Sequence, residues 1–263
     1  MSRPCFTIIV VVKDNLSGLL KTIKTTQLQT FSDYELCIID GSVRSNEKRI
    51  NDLGIKEIKY YWGKDKGIYD AMNKGISLAL GKFVYFLNCE DEFTDNSVLK
   101  KVNKLILKHN YSYDIFYGGI IQVFEDYSIT IHPKSIYTAN RQMVFSHQGA
   151  FYRKEILKKN EFDLNFKYAA DYDQFIRLLK NSAKMKRTHL IFARCMAGGF
   201  TDKNLLDMKI ERAKISLFYF NSFSNYIFHG LNITYEIARS LIFKILPSGL
   251  IKILRRLKSK SGT

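Results

Sequence analysis

The sequence predicts an α/β protein with a mostly parallel sheet flanked by helices, and three observations predict it. Phe6–Val12 is an unbroken, largely β-branched apolar run, as in a strand buried on both faces of a parallel sheet. Short apolar runs then alternate with segments whose apolar residues recur at helical spacing, the pattern of strand, crossover helix and parallel strand. Hydrophobic residues make up 46% of the 263, enough to bury a sizeable core and to exclude wholesale disorder.

Taken in order, Leu16, Leu19, Leu20, Ile23 and Gln27 share one face of a first helix. Residues 35–39 read as a second strand ending at Asp40-Gly41-Ser42, and 57–62 as a third. In "DKGIYDAMNKGISLALGKFVYFLNCEDE" (65–92), Ile68, Ala71, Met72, Gly75, Ile76, Ala79 and Leu80 line one helical face. Residues 83–87 form the fourth strand, and the acids Glu90, Asp91 and Glu92 follow it. Beyond 114–118 the rhythm changes. Residues 120–132 alternate like a hairpin, 149–152 read as a short strand and 171–179 as a helix. A long helix is expected over 203–223 and a second over 235–257, interrupted at Pro247-Ser248-Gly249. The division expected is one catalytic-type domain over 1–202 and a helical, basic region over 203–263.

Charge is unevenly spread. The net charge is +16; residues 1–179 hold 25 basic and 21 acidic side chains, residues 180–263 hold 16 and 4. An anionic partner is expected at the C-terminal third, with a merely solvated basic tail as the alternative. Cys5, Cys37, Cys89 and Cys195 make no CxxC pair, so neither a disulfide framework nor a zinc site is expected, and a reducing cytoplasm suits them. No apolar stretch approaches the length of a membrane span. GxxxxGK[ST], GxGxxG after the first strand, HExxH and GxSxG are all absent.

In an open parallel sheet, ligands bind beyond the carboxyl ends of the strands. Asp40 and the Glu90-Asp91-Glu92 cluster fall at two such ends and should face one crevice. A carboxylate pair there suits Mg2+ or Mn2+, which prefer oxygen ligands and share them with substrate phosphates. The alternative is a solvated acidic loop leading into the helix near Asn96-Ser97.

Five blocks in order, "TIIVVVKDN", "IIDGS", "DKGIYDAMNKGISLALGKFVYFLNCEDEF", "HQGAFYRKE" and "FKYAADYDQFIRL", resemble a family 2 glycosyltransferase of the GT-A fold. The likeness is to small bacterial enzymes of surface-polysaccharide synthesis, and it covers roughly residues 4–200. It implies that Asp40 reads the nucleobase and that Lys13, Lys66, Gly67 and Asn73 bind the nucleotide sugar. It implies that Asp91 is the surest metal ligand, with Glu90 beside it, and that Cys89 is a spacer. Asp171 matches the catalytic base; relatives often carry Glu-Asp where this chain has Ala170-Asp171. His147 and Gln148 match a motif near the acceptor, and Asp173 is expected to be structural. The implied reaction is an inverting displacement, with Mn2+ or Mg2+ offsetting charge on the departing diphosphate.

The only tryptophan is Trp62, so the QxxRW signature of processive relatives is absent and one sugar per encounter is expected. "AGGFTDKN" (197–204) is a candidate loop over the diphosphate, or an ordinary turn. The resemblance further implies a UDP-sugar donor and a lipid-linked saccharide acceptor at the inner face of the cytoplasmic membrane. Aromatic residues 218–228 and the apolar stripes beyond 236, set among seven basic residues, read as an anionic-membrane contact or as an oligomer contact. A sugar nucleotidyltransferase would want a glycine-rich loop after the first strand, where "VVVKDN" stands. A non-enzymatic basic protein binding nucleic acid or membrane is the other alternative. No nucleic-acid partner is expected, because no helix-turn-helix, RNP or zinc-finger pattern occurs.

Overall fold

The computed structural model describes residues 3–55, 58–199 and 204–245, with backbone only for 243–245. One mixed sheet of nine strands runs through the molecule in the order β3-β2-β1-β4-β8-β6-β9-β5, with β7 beside β6. Strands β1 (Phe6–Val12), β2 (Tyr34–Asp40), β3 (Ile58–Trp62) and β4 (Phe83–Phe86) form its parallel part. In register, Val12 lies against Asp40 and Asp40 against Trp62, so the first three strands end at one level.

The second half of the sheet is where the rhythm of the sequence changes. Strand β8 (Ala150–Arg153) is antiparallel to both β4 and β6 (Ile115–Val123). Hairpin partner β7 (Ser128–Ile131) pairs with β6 where alternation predicts it. The long β9 (Met185–Met196) runs parallel to β6 and carries the two-residue β5 (Glu92–Phe93) on its other side.

Successive residues of a buried strand face opposite sides, and two apolar layers result. Phe6, Ile8 and Val10 pack under α1 (Leu16–Gln27) and α4 (Val98–Lys108), with Leu19, Ile23, Leu99 and Val102. Ile9 and Val11 face α3 (Ile68–Leu78) and α6 (Ala170–Lys180), with Met72, Ile76, Tyr172 and Phe175. A side chain at Gly75 would come within 2.5 Å of Ile9 Cγ2, so glycine there sets how closely α3 approaches the sheet. Short helices α2 (Glu47–Asn51) and α5 (Lys154–Lys159) complete the flanks.

The C-terminal helices differ from the expected boundaries. Helix α7 (Leu205–Tyr219) stops four residues before the expected end, where Phe220 leaves helical geometry at φ −133° and ψ 52°. Helix α8 (Phe223–Ile245) then begins a dozen residues before the expected start. The break is made at Ser222 and Asn225: Ser222 Oγ accepts the Asn225 N–H at 3.4 Å, and Asn225 Nδ2 donates to Phe220 O at 3.0 Å. Short polar residues that satisfy free backbone groups start and stop helices, and this pair divides one apolar-rich run into two helices. The expected interruption at Pro247 lies outside the described residues. Met208 and Ile215 of α7 join the core on the α6 side.

Candidate active site

Four segments meet beyond the carboxyl ends of β1, β2 and β4. After β1, Lys13 is exposed and Asp14 takes a positive φ of 51°. The Asp14 N–H donates to Ser42 Oγ at 2.7 Å, and Asp14 Oδ1 accepts the Val43 N–H at 2.9 Å. These bonds lace the first two strand-end loops around a cleft of about 320 Å³ lined by Asp14, Asn15, Leu16, Ser42, Val43, Arg44 and Asn46.

Asp40 lies beneath this cleft, fully buried. Its carboxylate accepts from the Ser42 N–H (2.8 Å), Asn46 Nδ2 (2.9 Å) and the Tyr60 hydroxyl (2.5 Å). Burial alone would raise its pKa, but these donors outweigh it and hold the group below the ordinary aspartate value. Trp62 is more than half exposed at the end of β3 and anchors its indole N–H on Ser42 O at 2.9 Å, offering an aromatic face at the rim. Tyr60 and Trp62 belong to no motif block; only their place at the end of a strand beside Asp40 could have marked them.

The third segment precedes α3. Lys66 is exposed, and its backbone N–H donates to Asp70 Oδ2 at 2.9 Å. Gly67 has φ +123°, a conformation that side chains disfavour, and this bend starts α3. Asn73 is occupied elsewhere. Its amide donates to Phe162 O and accepts the Phe162 N–H, both at 2.9 Å, which ties α3 to the segment leading into α6.

The fourth segment is the acidic turn after β4, and its three acids diverge, each to a partner of its own. Glu92 pairs with Lys21 of α1 at 2.6 Å. Glu90 is exposed, at φ +76°, packed over Gly18 and accepting from Asn15 Nδ2 at 2.7 Å. Asp91 is only 4% exposed and accepts from Gln148 Nε2 and the Met196 N–H, each at 3.2 Å. Burial raises the Asp91 pKa to about 6, more than those bonds and the nearby His147 lower it. Thr22 of α1 fixes the turn by donating to Asp91 O at 2.9 Å. The sequence favours Asp91 over Glu90 as the ligand; the geometry presents the Glu90 carboxylate to solvent and engages that of Asp91 with neutral donors. Burial also pushes the Cys89 thiol up to about 12, which fits a spacer rather than a nucleophile.

A three-residue turn, His147–Gly149, joins this acidic turn to Asp171. Gln148 reaches Asp91, while the neighbouring His147 places Nε2 3.1 Å from Asn88 Nδ2 and Nδ1 3.7 Å from Asp171 Oδ2. With the Asn88 amide as donor, the imidazole proton sits on Nδ1, toward Asp171. Asn88 Oδ1 is buried without a hydrogen-bond partner. Asp171 also accepts from the Tyr69 hydroxyl at 3.3 Å and from the Tyr172 N–H at 2.9 Å. Asp173, by contrast, pairs with Arg177 at 2.8 Å and accepts from the Tyr219 hydroxyl at 3.1 Å, the structural role expected of it.

Helix α7 supplies what no motif announced. Glu211 accepts the N–H groups of Lys167, Tyr168 and Ala169 at 2.7–2.9 Å, three backbone donors just ahead of α6, the last of them the N-cap whose N–H the helix leaves free. Arg212 follows it, and its Nε is buried without a hydrogen-bond partner. Burial would raise the Asp171 pKa, but the facing His147 and the Arg212 charge hold it below the ordinary aspartate value. Asp171 is therefore ionised at neutral pH. Arg212→Gln should raise its pKa, because the carboxylate loses a nearby positive charge, and, with Asp171 as the base, should move the acid limb of the kcat/KM–pH profile to higher pH. A limb that stays in place would show that the Arg212 charge is screened from Asp171.

This geometry coincides with a known family. The profile described as "Glycosyl transferase family 2" matches residues 7–174, from β1 through the first half of α6. The chain belongs to glycosyl transferase family 2. A "PGL/p-HBAD biosynthesis glycosyltransferase" of Mycobacterium bovis (strain BCG / Pasteur 1173P2) is 27% identical over 218 residues, 79% of this chain and 82% of the relative. An "Uncharacterized glycosyltransferase MT1564" of Mycobacterium tuberculosis is 28% identical over 184 residues, 67% of this chain and 69% of the relative. Among solved structures, S. aureus TarS 1-349 in complex with UDP-GlcNAc superposes with a TM-score of 0.64 at 16% identity. That match covers 81% of this chain and 66% of the TarS fragment, just under two thirds. Mannosyltransferase PcManGT from Pyrobaculum calidifontis, in complex with GDP-Man and Mn2+, superposes with a TM-score of 0.61 at 11% identity, over 99% of this chain and 81% of that one. Such distant likenesses establish the fold of this family 2 glycosyltransferase, which is the GT-A fold.

Proposed function

We propose that this glycosyltransferase moves one sugar, with inversion, from a nucleotide-diphospho-sugar to a hydroxyl of a lipid-linked saccharide in surface-polysaccharide synthesis, and that the donor is a UDP-sugar. One observation carries this reading: the His147–Gly149 turn contacts both Asp171 and the acidic turn, so the assigned base and the assigned anion-compensating centre are bridged by two adjacent side chains. The strand-end cleft over Asp40 takes the nucleotide, with Lys13, Lys66 and Gly67 as further binding residues. The donor complexes of TarS and PcManGT support a nucleotide sugar as the donor class.

Asp171 removes the proton from the acceptor hydroxyl as that oxygen attacks the anomeric carbon. Arg212 and the His147 ring keep Asp171 ionised, and Tyr69, with its pKa raised by burial and by Asp171, stays protonated and holds the carboxylate in place. His147 and Gln148 line the acceptor side. No residue forms a bond to the sugar.

Among the described residues, no three His, Cys, Asp or Glu side chains cluster as a metal cage. The acidic turn nevertheless fits an ion that takes few protein ligands and completes its shell with substrate phosphates. Its donors are hard oxygens, and one of them, Asn88 Oδ1, is buried and unsatisfied. Glu90 and Asp91 would hold Mn2+ or Mg2+, which would offset charge on the departing diphosphate.

No described helix is long and apolar enough to cross a membrane. The basic C-terminal third supports a peripheral position on the inner face of the cytoplasmic membrane, where a lipid-linked acceptor lies. Thermal unfolding across a panel of nucleotide sugars, with and without Mn2+, tests the donor and metal assignments together. A UDP-sugar should raise the transition temperature most, and more with Mn2+. No response to any nucleotide sugar would refute the reading.

A further inference from the structure

Helix α8 is turned inside out relative to an ordinary surface helix. Its buried side chains are polar: Asn225, His229 and Glu236, the last only 4% exposed. Asn225 accepts from Asn140 Nδ2 at 3.1 Å, and Glu236 holds Lys209 of α7 at 2.8 Å and Arg239 of its own helix. Its apolar side chains point the other way. Phe223 is 80% and Leu231 67% exposed, and Ile227, Leu241 and Ile242 are each about half exposed. Positions 223, 227, 231, 238 and 242 recur at helical spacing, so these residues lie on one face. A surface helix in water normally buries that face and solvates the other. Here Asn225 and Glu236 hold the inward face by hydrogen bonds and ion pairs, His229 Nε2 is buried without a hydrogen-bond partner, and the outward apolar face has no cover within the described residues.

We propose that this outward face, 223–242, docks the enzyme on an anionic bilayer, lying in the interface rather than crossing it. Three features select lipid as the occupant. Tyr226 and Tyr235 on α8, with Phe223 and the nearby Phe218 of α7, are exposed aromatics of the kind that settle at headgroup level. Residues 180–263 carry 16 basic and 4 acidic side chains, and no acid follows Glu236, so the part of the sequence that contains this face has a charge that complements anionic headgroups. The same excess argues against a second copy, because a two-fold contact would bring like charge against like. Helix α7 links the face to the site, since it contacts α8 through Lys209 and the start of α6 through Glu211. Docking therefore holds Asp171 at a set height above the lipid. The inference rests on the proposed function only in supplying a membrane-borne acceptor.

The test is co-sedimentation of the full chain with vesicles of phosphatidylcholine alone and of phosphatidylcholine with phosphatidylglycerol. The wild type should bind the anionic vesicles, more weakly as salt rises. The double variant Ile227→Asp, Leu231→Asp alters two outward side chains; it should unfold at the wild-type temperature, bind nucleotide sugar as before and lose vesicle affinity about tenfold or more. Equal vesicle binding by the variant overturns the proposal. So does a wild type that ignores vesicles but forms a concentration-dependent dimer that the variant abolishes, which would assign the face to a second copy. Vesicle binding is read without substrate and nucleotide-sugar binding without vesicles, so failure of this face is distinguishable from failure of the glycosyltransferase reading.

Discussion

Asp91→Asn should abolish sugar transfer and, at pH 8 without metal, stabilise the fold. The two effects have one cause. Asp91 is almost fully buried, and its oxygens meet neutral donors from Gln148 and the Met196 backbone. Its pKa is raised from 3.8 to about 6, so the folded protein holds this proton more tightly than the unfolded chain. Stability then falls as pH rises between about 4 and 6, and the full cost of the buried anion, roughly 3 kcal/mol, is present above that window. Asparagine removes the cost, so the variant's gain should be largest at pH 8 and vanish near pH 4. Mn2+ should recover most of the difference for the wild type and little for the variant. Thermal unfolding at the two pH values, with and without Mn2+, checks this. A variant less stable than wild type at pH 8, or one that still transfers sugar, would show that Asp91 is a structural carboxylate. Glu90→Gln is the companion: it should weaken Mn2+ activation without the stability gain, because Glu90 is already exposed.

Asp171→Asn should lower kcat by about 10³-fold while changing donor affinity little, as expected when a general base is lost. Asparagine can still accept from the Tyr172 N–H and the Tyr69 hydroxyl, which the carboxylate does at 2.9 and 3.3 Å, so the start of α6 should survive. The measurement pairs steady-state transfer with calorimetric titration of the nucleotide sugar. Near wild-type kcat would pass the deprotonation to another group. Parallel loss of binding and turnover would make Asp171 a ligand of the donor instead.

The local devices were legible in the sequence because they are short-range. β1 announces itself by an unbroken apolar run, α3 by spacing, and the bend at Gly67 by a residue that tolerates φ +123°. The strand-end rule predicted that Asp40 and the acidic turn face one crevice, without knowledge of any contact. The break between α7 and α8 was hidden because one apolar-rich run serves either a continuous or a divided helix. Only the bonds from Asn225 to Phe220 and Ser222 decide between them.

By itself, then, the sequence determined that a parallel α/β half precedes a mixed half, which residues could carry the chemistry, and that the positive charge gathers toward the C-terminus. Tertiary structure alone decided how neighbours in sequence part company. Glu90 turns to solvent, Asp91 is buried, and Glu92 pairs with α1. It also brought Arg212, 41 positions beyond Asp171, close enough to lower that residue's pKa, and it turned the apolar face of α8 outward. The physical reason is common to all three. Periodicity fixes which residues share a face, but which face is buried, and which charge meets which, depends on elements distant along the chain that local pattern does not encode.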